Sequence, residues 1–132
     1  MAKNIELLKR LRTRFLRMRH KEHFDIRHVA KQNVCGTAMC IAGHTLDLAG
    51  YKHRFRQNAQ GQIVEVEWFD PSGRRLGADP LVRARRLLGL SKRQADHIGY
   101  DDADCGMFYD FRIQTPKQAA DRIEKIIAEA QS

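Results

Sequence analysis

The sequence predicts an α+β fold: a mainly helical single domain of about five helices with a small antiparallel β-meander around residues 51–76. Three observations predict it: apolar residues recur at helical spacing near both ends, capping motifs mark helix starts in the second half, and strand-like alternation interrupts the middle. With 132 residues, 42% hydrophobic and 30% charged, the chain can bury a core. Without repeats or a flexible linker, residues 1–132 are expected to form one domain.

A first helix is predicted over about residues 4–19. Apolar side chains at helical spacing are expected to face the core: Ile5, Leu7, Leu8, Leu11, Phe15, Leu16 and Met18. The opposite arc is basic and contains Lys9, Arg10, Arg14 and Arg17. The helix therefore has one side suited to the core and one suited to an anion.

A second helix is expected over about residues 37–49, and Gly50 is expected to end it in a left-handed conformation. Met39 and Leu46 lie at helical spacing. The segment also has small residues that allow another backbone to come close: Ala38, Ala42, Gly43 and Ala49.

The β-meander begins with alternating residues over 51–57. A four-residue turn would place Arg54 opposite Glu65 and Lys52 opposite Glu67, and such opposite charges stabilise a strand pair. A further turn leads to a short third strand around Arg74 to Leu76.

Three helix starts follow, each with a local capping signal. Asp79-Pro80 combines an N-cap with a proline at the first helical position, and Gly89 ends that helix. Ser91 and Gln94 form a capping-box pattern that opens a short helix ending at Gly99. The last helix starts at the capping box Thr115/Gln118 and buries a stripe of Ala119, Ile123, Ile126, Ile127 and Ala130.

The formal net charge of +8 is unevenly distributed. Residues 1–31 carry a net +7, residues 32–93 a net +5 and residues 94–132 a net −4. This pattern is typical of a basic surface that binds nucleic acid or another acidic partner, and equally of two chain ends that lie against each other. The candidate binding residues are Lys9, Arg10, Arg14, Arg17, Arg85 and Arg86.

The sequence favours a cytoplasmic protein without a membrane partner. No apolar run approaches the roughly 18 residues of a membrane span, and the N-terminus lacks the features of a secretory signal. The chain has three cysteines, and a number that is both low and odd argues against a disulfide framework. No motif for a cofactor is present, and we expect none.

The segment CGTAMCIAGH contains the candidate chemistry. Cys35 is expected at or just before the N-terminus of the second helix, where the helix dipole would favour its thiolate. This placement suits a thiol-dependent enzyme of the cysteine peptidase or amidase kind, with His28, His53 or His97 as its general base. Alternatively Cys35, Cys40 and His44 could help to hold zinc. The third interpretation, buried cysteines beside a close helix contact, is the more common one in proteins.

Two further motifs fit a known site poorly. The segment 83–99 has the Leu-Gly-Leu-Ser turn of a helix-turn-helix, but Arg85 stands where a small residue is usual. The aspartates at 101, 102, 104 and 110 depart from the calcium-loop pattern at Ala103, Cys105 and Arg112. We therefore expect a plain helix pair and a solvated or ion-pairing acidic loop.

The segment CGTAMCIAG, with Leu48-Ala49-Gly50 after it, resembles a family of small, mostly uncharacterised bacterial and phage proteins with a CGTxxCxAG motif. This resemblance implies no activity. The same segment more loosely resembles the CGxAC-type helix start of bacteriocin-processing cysteine peptidases, with one more residue between its cysteines. The leading hypothesis is a non-enzymatic bacterial or phage binding or accessory protein whose basic first helix contacts nucleic acid or another acidic partner. A thiol-dependent enzyme and a zinc-stabilised domain are the alternatives.

Overall fold

The computed structural model describes residues 3–18, 31–33, 36–77, 79–96, 106–108, 110 and 112–131. Within these residues it confirms a mainly helical α+β fold with five helices and two antiparallel strand pairs. The elements in chain order are α1 (Ile5–Arg17), β1 (Lys31–Asn33), β2 (Gly36–Ala38), α2 (Ile41–Leu48), β3 (Lys52–Gln57), β4 (Ile63–Phe69), α3 (Pro80–Leu88), α4 (Lys92–Asp96) and α5 (Pro116–Gln131).

The core is organised around α1, which packs against α2, α3 and α5. Asn4 caps the helix by accepting a hydrogen bond from the Leu7 N–H. The residues that α1 buries are Leu7, Leu8, Leu11 and Phe15. Leu16 was expected on the same side, and this prediction is wrong: 59% of Leu16 is exposed. Successive residues lie about 100° apart around a helix, so Leu16 points away from the buried face that contains Phe15.

The basic beginning and the acidic end of the chain lie against each other, because α1 and α5 pack side by side. Arg12 forms an ion pair with Glu124 across this contact. Part of the positive charge of the first segment is therefore compensated inside the fold, and the net charge overstates the free basic surface.

All three predicted caps are confirmed. The Asp79 side chain accepts from the Leu81 N–H, and Gly89 ends α3 with φ +69°. At α4, Gln94 Oε1 accepts from the Ser91 N–H while Ser91 Oγ accepts from the Gln94 N–H, at 3.1 and 3.2 Å. Gly99, the expected end of this helix, lies outside the described residues.

Helix α5 starts with the same reciprocal pattern between Thr115 and Gln118, at 3.0 and 3.2 Å. Of the expected stripe, Ala119, Ile123, Ile126 and Ile127 are buried. Ala130 is exposed, which corrects the prediction, and Ala120 is buried. The stripe therefore ends before the last turn of the helix.

Replacing Thr115 by alanine is expected to lower the free energy of unfolding by about 1 kcal/mol, because the Gln118 N–H loses its acceptor. Replacing it by serine keeps the hydroxyl and serves as the control. Urea denaturation measures both. If the alanine variant loses no more unfolding free energy than the serine variant, the Thr115 hydroxyl does not stabilise the helix.

The second helix starts four residues later than predicted, at Ile41. The preceding residues Gly36–Ala38 form β2, which pairs with β1 so that Gln32 lies opposite Thr37. These backbone groups are bonded across a hairpin and are unavailable to a helix, which a spacing pattern within one segment does not reveal. Gly50 follows the helix with φ +91°, as expected for a left-handed stop.

The main hairpin has the predicted faces but a register that is shifted by two residues. Arg54 lies opposite Glu67 and Arg56 opposite Glu65, while Lys52 lies opposite Phe69. A two-residue shift keeps every side chain on its own face of the sheet, so the alternation pattern alone does not distinguish the two registers.

The shift arises in the turn between β3 and β4. The Asn58 side chain accepts from the backbone N–H groups of Gln60 and Gln62, both at 3.0 Å, and the Asn58 N–H donates to the Gln62 carbonyl. This makes a longer loop than the predicted four-residue turn, with an irregular register between Arg56 and Gln57.

The predicted third strand is reduced to an isolated bridge between Phe69 and Arg75. The Arg75 side chain instead pairs with Glu65 at 2.8 Å and with Glu67 at 3.5 Å. Three arginines therefore surround two glutamates on this sheet, since Arg54 and Arg56 pair with the same carboxylates.

Candidate anion-binding site

The basic arc of α1 forms one side of an open depression of about 430 Å³. Side chains three, four and seven residues apart share a helix face, which brings the basic residues of this helix together. The lining residues are Glu6, Lys9, Arg10, Thr13, Arg14, Arg17 and, from α2, Leu48. Four cations and one carboxylate thus meet on one concave surface.

Three of the four cations are exposed: Lys9, Arg10 and Arg17. Arg10 makes a long hydrogen bond of 3.5 Å to the Leu48 carbonyl, which holds it beside α2. Among the described residues, neither Lys9 nor Arg17 forms an ion pair. The charge of these side chains is therefore available to an anion from solution.

Arg14 differs from the other three cations because it forms an ion pair with a carboxylate of α2. Its Nη1 atom lies 2.7 Å from Asp47 Oδ2 and 3.4 Å from His44 Nδ1. His44 is buried, and its ring meets the edge of Phe15 at 5.1 Å between ring centroids. Phe15 and Arg14 are consecutive residues of α1, so the same contact between helices positions both side chains.

The other two candidate binding residues lie elsewhere. Arg85 and Arg86 belong to the last turn of α3, whereas the depression is lined by α1 and Leu48. Arg86 is exposed, and Arg85 is half-buried with an Nε atom that has no acceptor among the described residues. The structure thus brings together four of the six candidates.

Of the two cysteines in the motif CGTAMCIAGH, Cys40 lies in the described part of the chain. Cys40, not Cys35, is the residue that precedes α2, and it is buried. Cys35 itself lies outside the described residues, and strand β2 separates it from the helix. The helix that was expected to begin near Cys35 begins at Ile41, after β2.

The zinc hypothesis relied on Cys35, Cys40 and His44. His44 follows Cys40 by one helical turn, and its N–H donates to the Cys40 carbonyl at 3.0 Å. The His44 ring, however, faces Phe15 and Arg14. Within the described part of the chain, no group of three histidine, cysteine or acidic side chains is arranged to hold a metal ion.

His53 was a possible base for a cysteine nucleophile. It is half-buried in β3 and packs against Trp68 and Phe55, with ring centroids 5.1 and 5.3 Å away. Burial lowers the pKa of His53 below its ordinary value of 6.5, and the nearby Asp47 carboxylate opposes this effect. The other two possible bases, His28 and His97, lie outside the described residues.

Of the four aspartates in the predicted acidic loop, Asp110 lies in the described part of the chain. Asp110 is buried and bonds to Arg112 and Arg122, which agrees with the expected ion pairing. The positions 101, 102 and 104 lie outside the described residues.

Sequence reasoning missed two acidic residues at this surface: Glu6, which lines the depression, and Asp47, which pairs with the lining residue Arg14. Glu6 lies four residues before Arg10, and this spacing is a signal that could have placed it on the basic face. Asp47 is 33 residues from Arg14, and no local pattern connects them.

Comparison with known proteins gave no match among protein-family models, curated proteins or solved structures. Of the helices described here, none combines the length and the hydrophobicity needed to cross a membrane. The function must therefore be argued from the surface itself.

Proposed function

We propose that this chain is a non-enzymatic binding or accessory protein whose first helix contacts the phosphates of nucleic acid. Its resemblance to small bacterial and phage proteins suggests a role in such an organism. The observation that supports the proposal is the depression on α1, which has a volume of about 430 Å³. Lys9, Arg10 and Arg17 line it and are exposed.

The spacing of these cations suits a polyanion. Arg17 is eight positions after Lys9, which corresponds to a rise of about 12 Å along a helix. A DNA duplex carries one negative charge per about 1.7 Å of its axis, so several phosphates lie within this length. Lysine and arginine that neutralise phosphates release bound counterions, and this release drives binding that is largely independent of sequence.

Binding is tested by fluorescence anisotropy with a labelled DNA duplex at about 50 mM salt. Replacing Lys9, Arg10 and Arg17 together by glutamine is expected to weaken binding about tenfold or more, because three phosphate contacts are lost. The three side chains are exposed, so circular dichroism should show that the fold is kept.

The hairpin supplies a matched control. Replacing Lys52, Arg54 and Arg56 by glutamine removes the same three charges from another exposed surface, where two of them are already paired with glutamates. This variant should bind the duplex within about threefold of the unchanged protein. Equal losses in the two variants would indicate only a net-charge effect and would contradict a site on α1.

A further inference from the structure

Arg14 lines the depression, yet its hydrogen bonds go to the protein. Its side chain is 28% exposed and lies 2.7 Å from the Asp47 carboxylate, which is 35% exposed. Arg14 lines the depression together with Arg10 and Arg17, and Asp47 contacts it from beside that lining. The Asp47 carboxylate therefore already pairs with one of the four cations that a bound anion could use.

A second acceptor holds the same guanidinium nitrogen. A guanidinium group only donates hydrogen bonds, so His44 Nδ1, 3.4 Å from Arg14 Nη1, is the acceptor and the histidine proton is on Nε2. Because His44 is buried against Phe15, this acceptor is fixed in place. Asp47 and His44 together keep Arg14 turned toward α2.

We infer that Asp47 is a built-in competitor that restricts the depression to extended polyanions. An extended phosphate backbone contacts Lys9, Arg10 and Arg17 at separate points and leaves the Arg14–Asp47 pair intact. A small anion such as pyrophosphate needs several cations to converge on it. The Asp47 carboxylate already binds Arg14, which is the least exposed of the four cations. This inference rests on the proposed function, since it assigns the selectivity of the same surface.

The test replaces Asp47 by asparagine, which keeps the size of the side chain and removes its charge. Freeing Arg14 adds one phosphate contact, so the slope of log K against log salt for the DNA duplex should become steeper by about 0.9. Pyrophosphate should displace the labelled duplex from this variant at concentrations at least tenfold lower than from the unchanged protein. Adding Arg14→Gln to Asp47→Asn should remove both gains.

Asp121→Asn is the matched control, because it makes the same charge change at an exposed position of α5 that pairs only weakly with Lys117. It should leave the slope and the pyrophosphate competition unchanged. If Asp47→Asn and Asp121→Asn behave alike, the inference is overturned while binding to DNA still stands. If neither protein binds the duplex at low salt, the proposed function itself fails.

A measurement on the unchanged protein keeps the inference testable if Asp47→Asn does not fold. Nitrogen-15 NMR of the imidazole rings should find the His44 proton on Nε2, which leaves Nδ1 to accept from Arg14. A proton on Nδ1 would contradict the arrangement, because that atom could not accept a bond from Arg14.

Discussion

Replacing Phe15 by alanine should lower the free energy of unfolding by about 3–5 kcal/mol. Phe15 is 1% exposed and belongs to the core, and it packs edge-on against the buried His44 of α2. Its removal takes a large apolar side chain out of a close-packed interior and leaves a cavity between two helices. Urea denaturation followed by circular dichroism measures the change.

The next residue supplies the control. Leu16 lies on the same helix but is 59% exposed, so its replacement by alanine should change the free energy of unfolding by no more than about 0.5 kcal/mol. Alanine also has a high helix propensity, which limits any local cost. Similar losses for the two variants would mean that the buried side of α1 is incorrectly assigned.

Replacing Asp110 by asparagine should cost about 2–3 kcal/mol of unfolding free energy. Its two carboxylate oxygens accept from Arg112 Nε and Nη2 at 2.8 and 2.9 Å and from Arg122 Nη1 at 2.9 Å. The carboxylate is buried, so water cannot replace these bonds, and an amide neither pairs with two cations nor accepts at both positions. The exposed Asp121→Asn variant should cost at most about 0.5 kcal/mol.

The same residue predicts a pH dependence. The hydrogen bond from the Arg112 side chain is the main cause that lowers the pKa of Asp110 below its ordinary value of 3.8. A group with a lowered folded-state pKa stabilises the fold above its unfolded pKa and loses that contribution as pH falls through the folded pKa. Stability should therefore decline below about pH 4, and Asp110→Asn should lack this part of the decline. An unchanged acid profile would show that Asp110 is not the titrating group.

The features predicted correctly from the sequence are those that local chemistry determines. The capping pairs Ser91/Gln94 and Thr115/Gln118 involve neighbouring residues, so the bonds that they form follow from sequence spacing. The basic arc of α1 was also predictable, because helical periodicity alone groups its residues.

The errors occur where distant segments decide the structure. Strand β2 forms because Gly36–Ala38 meets Lys31–Asn33, and this pairing shortens the second helix. The hairpin register depends on the side chain of Asn58, which bonds within its own turn. The Arg14–Asp47 pair joins two helices that are distant in the sequence, so helical spacing did not distinguish Arg14 from the other three cations. In the structure Lys9, Arg10 and Arg17 are exposed, whereas Arg14 forms an ion pair.

The salt dependence of DNA binding shows whether the cations of α1 contact phosphates. Contacts from Lys9, Arg10 and Arg17 predict a slope of log K against log salt of about −2.7, since each phosphate contact on a duplex contributes about −0.9. The variant with all three replaced by glutamine should lose most of this slope, and the hairpin variant should keep it. A slope near zero in the unchanged protein, or a slope that survives in the α1 variant, would contradict a phosphate-binding surface on the first helix.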